Sequence, residues 1–182
     1  MKQRLVLLSF VVSVLIMTAK FAVYYASGST TLLTDALESI INVVAACFAY
    51  YSIYLASLPK DLNHPYGHGK IEFFASGLEG VLILLASAYI FLHASQHLYA
   101  LPELKSLDVG MAVSLISAGI NGLMGFYLVK KGRSSHSPAL VADGKHLRLD
   151  AYNGILVVVA LALTYFTHWF WVDSLASFLF AG

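Results

Sequence analysis

Long apolar runs separated by short polar segments make up almost the whole chain. A run of about 20 apolar residues is long enough to cross the hydrocarbon core of a bilayer as an α-helix. The pattern therefore predicts an all-α bundle of six membrane-spanning helices, at about residues 5–26, 32–58, 71–98, 109–129, 140–165 and 169–182. Only about a dozen residues remain for the sixth run, so we expect that helix to be incomplete.

The composition supports a membrane protein. Hydrophobic residues make up 59% of the chain and charged residues 12%, about half of the roughly 25% that soluble domains contain. The 11 basic and 10 acidic residues nearly balance, so the sequence predicts no nucleic-acid partner. We expect an integral multi-pass protein whose surroundings are a lipid bilayer.

Positive charges are distributed unevenly between the two sides of the predicted bundle. Most lie in the N-terminal tail and in the second and fourth connectors: Lys2, Arg4, Lys60, Lys70, Lys130, Lys131 and Arg133. The connectors on the other side contain Lys105, together with Glu103 and Asp108. Cytoplasmic loops are enriched in Lys and Arg, so we expect a cytoplasmic N-terminus. The expected location is the plasma (inner) membrane.

Two predicted spans carry pairs of polar side chains four residues apart. "TDALESIIN" in the second contains Glu38 and Asn42, and "ADGKHLRLD" in the fifth contains His146 and Asp150. Residues at i and i+4 lie on one helical face, so two antiparallel helices can bring all four together. Three oxygen ligands and one nitrogen suit a divalent transition metal. Asp35 lies near the start of its helix, where a carboxylate can cap the helix N-terminus or take part in metal entry to the site.

A structural role for these charges is the alternative. Glu38 and Asp150 could form buried ion pairs with Lys20, Arg148 or His146 and so hold the bundle together. Charged side chains within spans are costly, however, and indicate a functional site by default.

The second connector contains a further candidate metal site. In "DLNHPYGHGK", Asp61, His64 and His68 provide one carboxylate and two imidazoles, which is a plausible three-ligand set. Pro65 and Gly67 favour a tight turn between the histidines. The alternative is a solvated connector that happens to contain histidine.

Three motifs resemble those of a known family. "HPYGHGKIE", "DALESIIN" and "ADGKHLRLD" are similar to signatures of the cation diffusion facilitator family of divalent-metal transporters. The resemblance covers nearly the whole chain, up to "WVDSLASFLFAG", which resembles the start of that family's sixth helix.

The resemblance implies a function and a set of residues. It places an intramembrane transport site at Glu38, Asn42, His146 and Asp150, and a second site at Asp61, His64 and His68. It also implies a homodimer that exchanges metal for protons by alternating access, with a cytoplasmic C-terminal domain. We expect that domain to be absent from this sequence. Zinc members commonly have Asp or His followed by Asp where this chain has Glu38 and Asn42. Iron, manganese, cobalt and nickel are therefore candidate substrates beside zinc.

We expect a secondary active transporter, not an enzyme, that exports divalent metal in exchange for protons. One alternative is a membrane electron-transfer protein that binds haem through two histidines, His93 or His97 with His146 or His168. Another is a structural membrane subunit whose polar interior has no metal ligand.

Overall fold

The computed structural model describes residues 2–62, 64–97 and 107–167, apart from the side chains of residues 30, 93–97 and 107. These ranges contain five α-helices: α1 (Lys2–Ser27), α2 (Thr30–Ala56), α3 (Ile71–His97), α4 (Leu107–Ser134) and α5 (Pro138–Thr167). All five are long and apolar enough to cross a membrane. The described part contains no strand, which confirms the all-α prediction there. The predicted sixth helix, at about residues 169–182, lies outside the described residues.

Local sequence signals set several helix ends. α1 ends before Gly28, whose φ of 70° is readily available to glycine. The Ser29 side chain then caps α2 by accepting a hydrogen bond from the Leu32 amide at 3.2 Å. α5 begins with Pro138, and proline favours the first position of a helix. The largest difference from the expected ends is in α4, which we expected to end near residue 129 and which continues to Ser134. The apolar run marks the span, whereas the helix itself continues into polar residues.

Helices α4 and α5 approach each other closely because glycines line their contact. A Cβ atom at Gly144 would lie 2.7 Å from the backbone nitrogen of Val129, and one at Gly125 would lie 2.7 Å from the carbonyl oxygen of Gly144. Small residues allow close backbone approach in membrane helix pairs. This contact fixes the rotation of α5, which carries two of the predicted ligands, relative to the rest of the bundle.

Candidate metal centre

Three of the four predicted intramembrane ligands are close together. Asn42 of α2 donates a hydrogen bond from Nδ2 to Asp150 Oδ2 of α5 at 2.5 Å. His146 lies one turn before Asp150, with 3.7 Å between its Nδ1 and Asp150 Oδ1. Asn42 and Asp150 are buried, and His146 is partly buried. The i, i+4 spacing on α5 and the antiparallel packing of α2 therefore bring together an amide, an imidazole and a carboxylate.

Two atoms of this group are buried without a hydrogen-bond partner: Asn42 Oδ1 and His146 Nε2. Buried polar atoms are normally hydrogen-bonded, and each exception needs an explanation. An amide oxygen and an imidazole nitrogen are both metal-ligand atoms. The donor chemistry therefore fits a cation, which would satisfy both atoms together with Asp150.

Glu38 lies on the same cavity but in a different local environment. The cavity has a volume of about 300 Å³, and its lining includes Glu38, Ser87, His146, Asp150 and Asn153. Among the described residues, no hydrogen bond or ion pair joins Glu38 to the other three predicted ligands. Asn153, which is on α5 one turn after Asp150, lines the same cavity. Sequence reasoning missed Asn153, although its spacing of three from Asp150 could have identified it.

Lys20, the buried lysine of α1, pairs with neither Glu38 nor Asp150, the two partners that the structural alternative named. Lys20 Nζ lies 2.6 Å from Asp35 Oδ1, and Ser114 Oγ of α4 donates to Asp35 Oδ2 at 3.3 Å. Both charged side chains are almost fully buried. Asp35 therefore ties α1, α2 and α4 together, and it is Ser29, not Asp35, that caps α2.

Arg148 also pairs with neither predicted acid. Its guanidinium carbon lies 4.3 Å from the centre of the Phe126 ring. Of the ion pairs that the structural alternative named, the described residues contain only the 3.7 Å contact between His146 and Asp150.

Two further acidic side chains lie deep in the bundle, between the predicted ligands and the end of the bundle where α5 begins. Asp143 is 1% exposed and accepts a hydrogen bond from Ser9 Oγ of α1 at 3.0 Å. Glu79 of α3 is 5% exposed, and its Oε1 has no hydrogen-bond partner. Sequence reasoning did not single out Asp143, although it precedes His146 by three residues and Asp150 by seven on one helical face.

The predicted loop ligands also converge. Asp61, His64 and His68 each offer a ligand atom, and these atoms all lie within 4.8 Å of one another. Asp61 Oδ1 accepts from the His64 amide at 2.6 Å and lies 2.9 Å from His64 Nδ1. His68 Nε2 lies 3.5 Å from Asp61 Oδ2, and its buried Nδ1 has no partner. Gly67 forms the turn between the histidines. Its φ of 85° is a backbone conformation that residues with a side chain rarely adopt.

The electrostatics of the loop favour an ionised carboxylate. The hydrogen bond to the His64 side chain, followed by the His64 amide and the charges of both histidines, lowers the pKa of Asp61 below its ordinary value of 3.8. Metal ligands must be deprotonated to bind, so Asp61 is ready to bind a cation at any pH near neutral.

The haem alternative depends on histidines that the structure mostly does not describe. The side chains of His93, His97 and His168 lie outside the described part of the chain. His146, the fourth candidate, lies 3.7 Å from Asp150 and lines the cavity with it.

Comparison with known proteins identifies the family. The family model of the cation efflux transmembrane domain matches residues 6–182. An uncharacterized transporter of Synechocystis sp. is 39% identical over 159 residues, which cover 87% of this chain and 51% of that protein. The magnetosome protein MamM of Magnetospirillum gryphiswaldense is 29% identical over 167 residues, covering 89% and 51%. The cation-efflux pump FieF of Serratia proteamaculans is 28% identical over 152 residues, covering 84% and 51%.

The chain spans about half the length of these curated relatives. The family match covers nearly all of this chain, including all five described helices beyond the first few residues of α1. Together with the apolar helices, it shows that the chain is a multi-pass membrane protein that belongs to the cation efflux, or cation diffusion facilitator, family.

Proposed function

We propose that the protein exports divalent transition-metal cations from the cytoplasm and takes up protons in exchange. The metal is the substrate, and its intramembrane ligands are Glu38, Asn42, His146 and Asp150. Membership of the cation efflux family, and the likeness to the cation-efflux pump FieF, support transport of a cation.

One observation carries the assignment of the site. Asn42 Oδ1 and His146 Nε2 are buried, unpartnered and beside the Asp150 carboxylate. A purely structural polar cluster is expected to satisfy such atoms internally. His146 and Asp150 line the cavity, and ligand atoms left without a partner beside them are suited to a ligand that comes and goes.

The donor set also supports proton exchange. Histidine changes its charge in the physiological pH range, and an imidazole must be neutral to bind metal. When metal binds, the proton on His146 leaves; when the site faces the other side and metal dissociates, the imidazole takes up another proton. Asp150 stabilises either cation, because it lies 3.7 Å from His146 Nδ1.

Glu38 completes the site in this proposal. Its carboxylate reaches the metal across the cavity that it lines together with His146 and Asp150. Zinc, iron, manganese, cobalt and nickel remain the candidate substrates, since the amide of Asn42 supplies a neutral oxygen in place of a carboxylate.

The loop of Asp61, His64 and His68 serves as an auxiliary metal site on the cytoplasmic side. The convergence of its three ligand atoms supports this role. The working form in this proposal is a homodimer in the plasma (inner) membrane with a cytoplasmic N-terminus.

Metal flux into vesicles that contain the full-length protein tests the proposal. We expect a pH gradient to drive uptake of at least one of the five metals. Asp150→Ala should reduce the rate beyond the 10–100-fold that loss of a supporting contact to a metal ligand costs.

Asp108→Ala is the matched control, because it removes an exposed carboxylate at the start of α4. It should leave the flux unchanged. Undiminished flux in Asp150→Ala would refute the ligand assignment, and flux that ignores the pH gradient would refute proton exchange.

A further inference from the structure

Two cations lie on the outer surface of α5, within its membrane-spanning range. Lys145 is exposed and Arg148 is partly buried, and together with Leu149 and Tyr152 they line a groove of about 220 Å³. Residues at these spacings share one helical face. This face differs from the one that carries His146 and Asp150, so the groove is separate from the candidate transport site.

The depth of these charges makes them costly without a partner. α5 has 30 residues, so at 1.5 Å per residue it is about 45 Å long, against about 30 Å for the hydrocarbon core. Lys145 lies about 10 Å and Arg148 about 15 Å from the beginning of the helix. Both therefore lie inside the edge of the hydrocarbon region, but close enough for their side chains to reach the headgroups.

The described part of the chain provides no anionic partner for either side chain. Its ion pairs involve Lys2, Lys20, His64, His68 and His146, and no carboxylate lies within 4.0 Å of Lys145 or Arg148. Charged side chains within spans normally pair with an opposite charge or a polar group. The missing negative charge is therefore expected from outside this part of the protein.

Arg148 is held in place. Its Cγ lies over Gly125 of α4, where a Cβ atom would be only 2.7 Å away. Its guanidinium rests on the Phe126 ring at 4.3 Å. Because Gly125 has no side chain, the stem of Arg148 lies in the groove between α4 and α5. These contacts hold the planar guanidinium in place on α4.

We propose that this groove binds the phosphodiester of an anionic phospholipid. Arginine recognises phosphate through two parallel hydrogen bonds, and Lys145, about one turn nearer the start of α5, adds a second positive charge to the same groove. The two unpaired cations favour a headgroup with net negative charge over a zwitterionic one. The acyl chains lie along the exposed apolar surface that includes Leu149.

Lipid binding to the purified full-length protein in neutral detergent tests this proposal. Native mass spectrometry and thermal unfolding would be measured with phosphatidylglycerol and with phosphatidylcholine. We expect retention of, and stabilisation by, phosphatidylglycerol in preference to phosphatidylcholine. The double variant Lys145→Gln with Arg148→Gln should bind phosphatidylglycerol at least about tenfold more weakly, as loss of one charge-assisted hydrogen bond implies.

Lys130→Gln with Arg133→Gln is the matched control, since it removes two exposed cations at the end of α4. It should retain the preference for phosphatidylglycerol. Arg148→Lys keeps the charge but loses the paired hydrogen bonds, so it should show an intermediate affinity. It also keeps the test decisive if the double variant does not fold.

Three results would overturn the proposal. Equal binding of the two lipids by the wild type would show that the groove does not select negative charge. Displacement of the lipid by inorganic phosphate would assign the groove to free phosphate. Loss of the dimer in the double variant, with lipid retention unchanged, would assign the two cations to a protein contact.

Discussion

Two of the buried polar clusters among the described residues differ in how completely their atoms are satisfied. In the first, Lys20, Asp35 and Ser114 bind one another at 2.6 and 3.3 Å across three helices. In the second, Asn42, His146 and Asp150 also connect two helices, but one oxygen and one nitrogen have no partner. Both contain a carboxylate in an apolar setting, and they are expected to respond differently to substitution.

The difference separates a structural cluster from a binding site. A satisfied ion pair gives no reason for a ligand to enter, whereas unpartnered ligand atoms do. Substitutions in the first cluster should therefore change stability, and those in the second should change metal binding.

The largest effect is expected from Lys20→Met. It leaves Asp35 as a buried, unpaired charge, which should lower the free energy of unfolding by about 3 kcal/mol or more. Chemical unfolding in mixed micelles measures this. Lys20→Met combined with Asp35→Leu should recover most of the lost stability, because neither position then carries a buried charge. A single variant as stable as the wild type would show that the pair is not structural.

His146→Ala should have the opposite effect: a large loss of metal binding and a small change in stability. Loss of an imidazole ligand should weaken metal binding at the intramembrane site by about 100-fold or more, with little loss of stability, because its Nε2 has no partner to lose. Calorimetric titration of metal in a background lacking His64 and His68 isolates this site. His136→Ala, in the connector between α4 and α5, is the matched control and should bind as the wild type does. A His146→Ala variant that was strongly destabilised but still bound metal would show that the second cluster, like the first, is structural.

Asn42→Asp sharpens the comparison further. The change keeps the shape of the side chain and adds a negative charge beside Asp150, so a divalent cation should bind about tenfold more tightly. Without metal the two carboxylates repel each other, and the 2.5 Å hydrogen bond that Asn42 donates to Asp150 is lost. Stability should therefore fall in the absence of metal and recover when metal is added. A variant that is insensitive to metal would contradict the assignment of Asn42.

The loop should give the smallest effects. His68→Ala is expected to raise the metal concentration for half-maximal flux a few-fold and to leave the maximal rate unchanged, because an auxiliary site acts before transport. Flux measured against metal concentration separates the two parameters. An equal loss of maximal flux in His68→Ala and His146→Ala would refute the auxiliary role of the loop.

The pH dependence of the loop follows from Asp61. A carboxyl whose pKa is lowered by folding stabilises the folded loop above its ordinary value of 3.8, and this contribution is lost as the pH falls through the lowered pKa. The Asp61 carboxylate should therefore remain ionised, and available to bind metal, throughout the range above 3.8. Carbon NMR of the Asp61 carboxyl group should show its titration below 3.8; titration above that value would contradict the geometry.

The sequence was sufficient to predict the five described helices and the residues that share a helical face. Apolar runs are a direct consequence of the bilayer, so spans are predictable, and the i, i+4 spacing of His146 and Asp150 follows from helix geometry alone. Partner choice was not predictable. Whether Lys20 pairs with Asp35 or with Glu38 depends on the rotation of α1 against α2, and the place of Asp143 depends on Ser9 of a distant helix. Such contacts arise from packing, which one chain's periodicity does not encode.

Anomalous diffraction from crystals of the full-length protein soaked in zinc or manganese tests the central claim most directly. We predict an anomalous peak about 2.0–2.3 Å from His146 Nε2 and Asp150, with Asn42 Oδ1 on the same ion. A peak at the loop alone, with Asn42 Oδ1 and His146 Nε2 bound to neighbouring protein groups, would contradict the account.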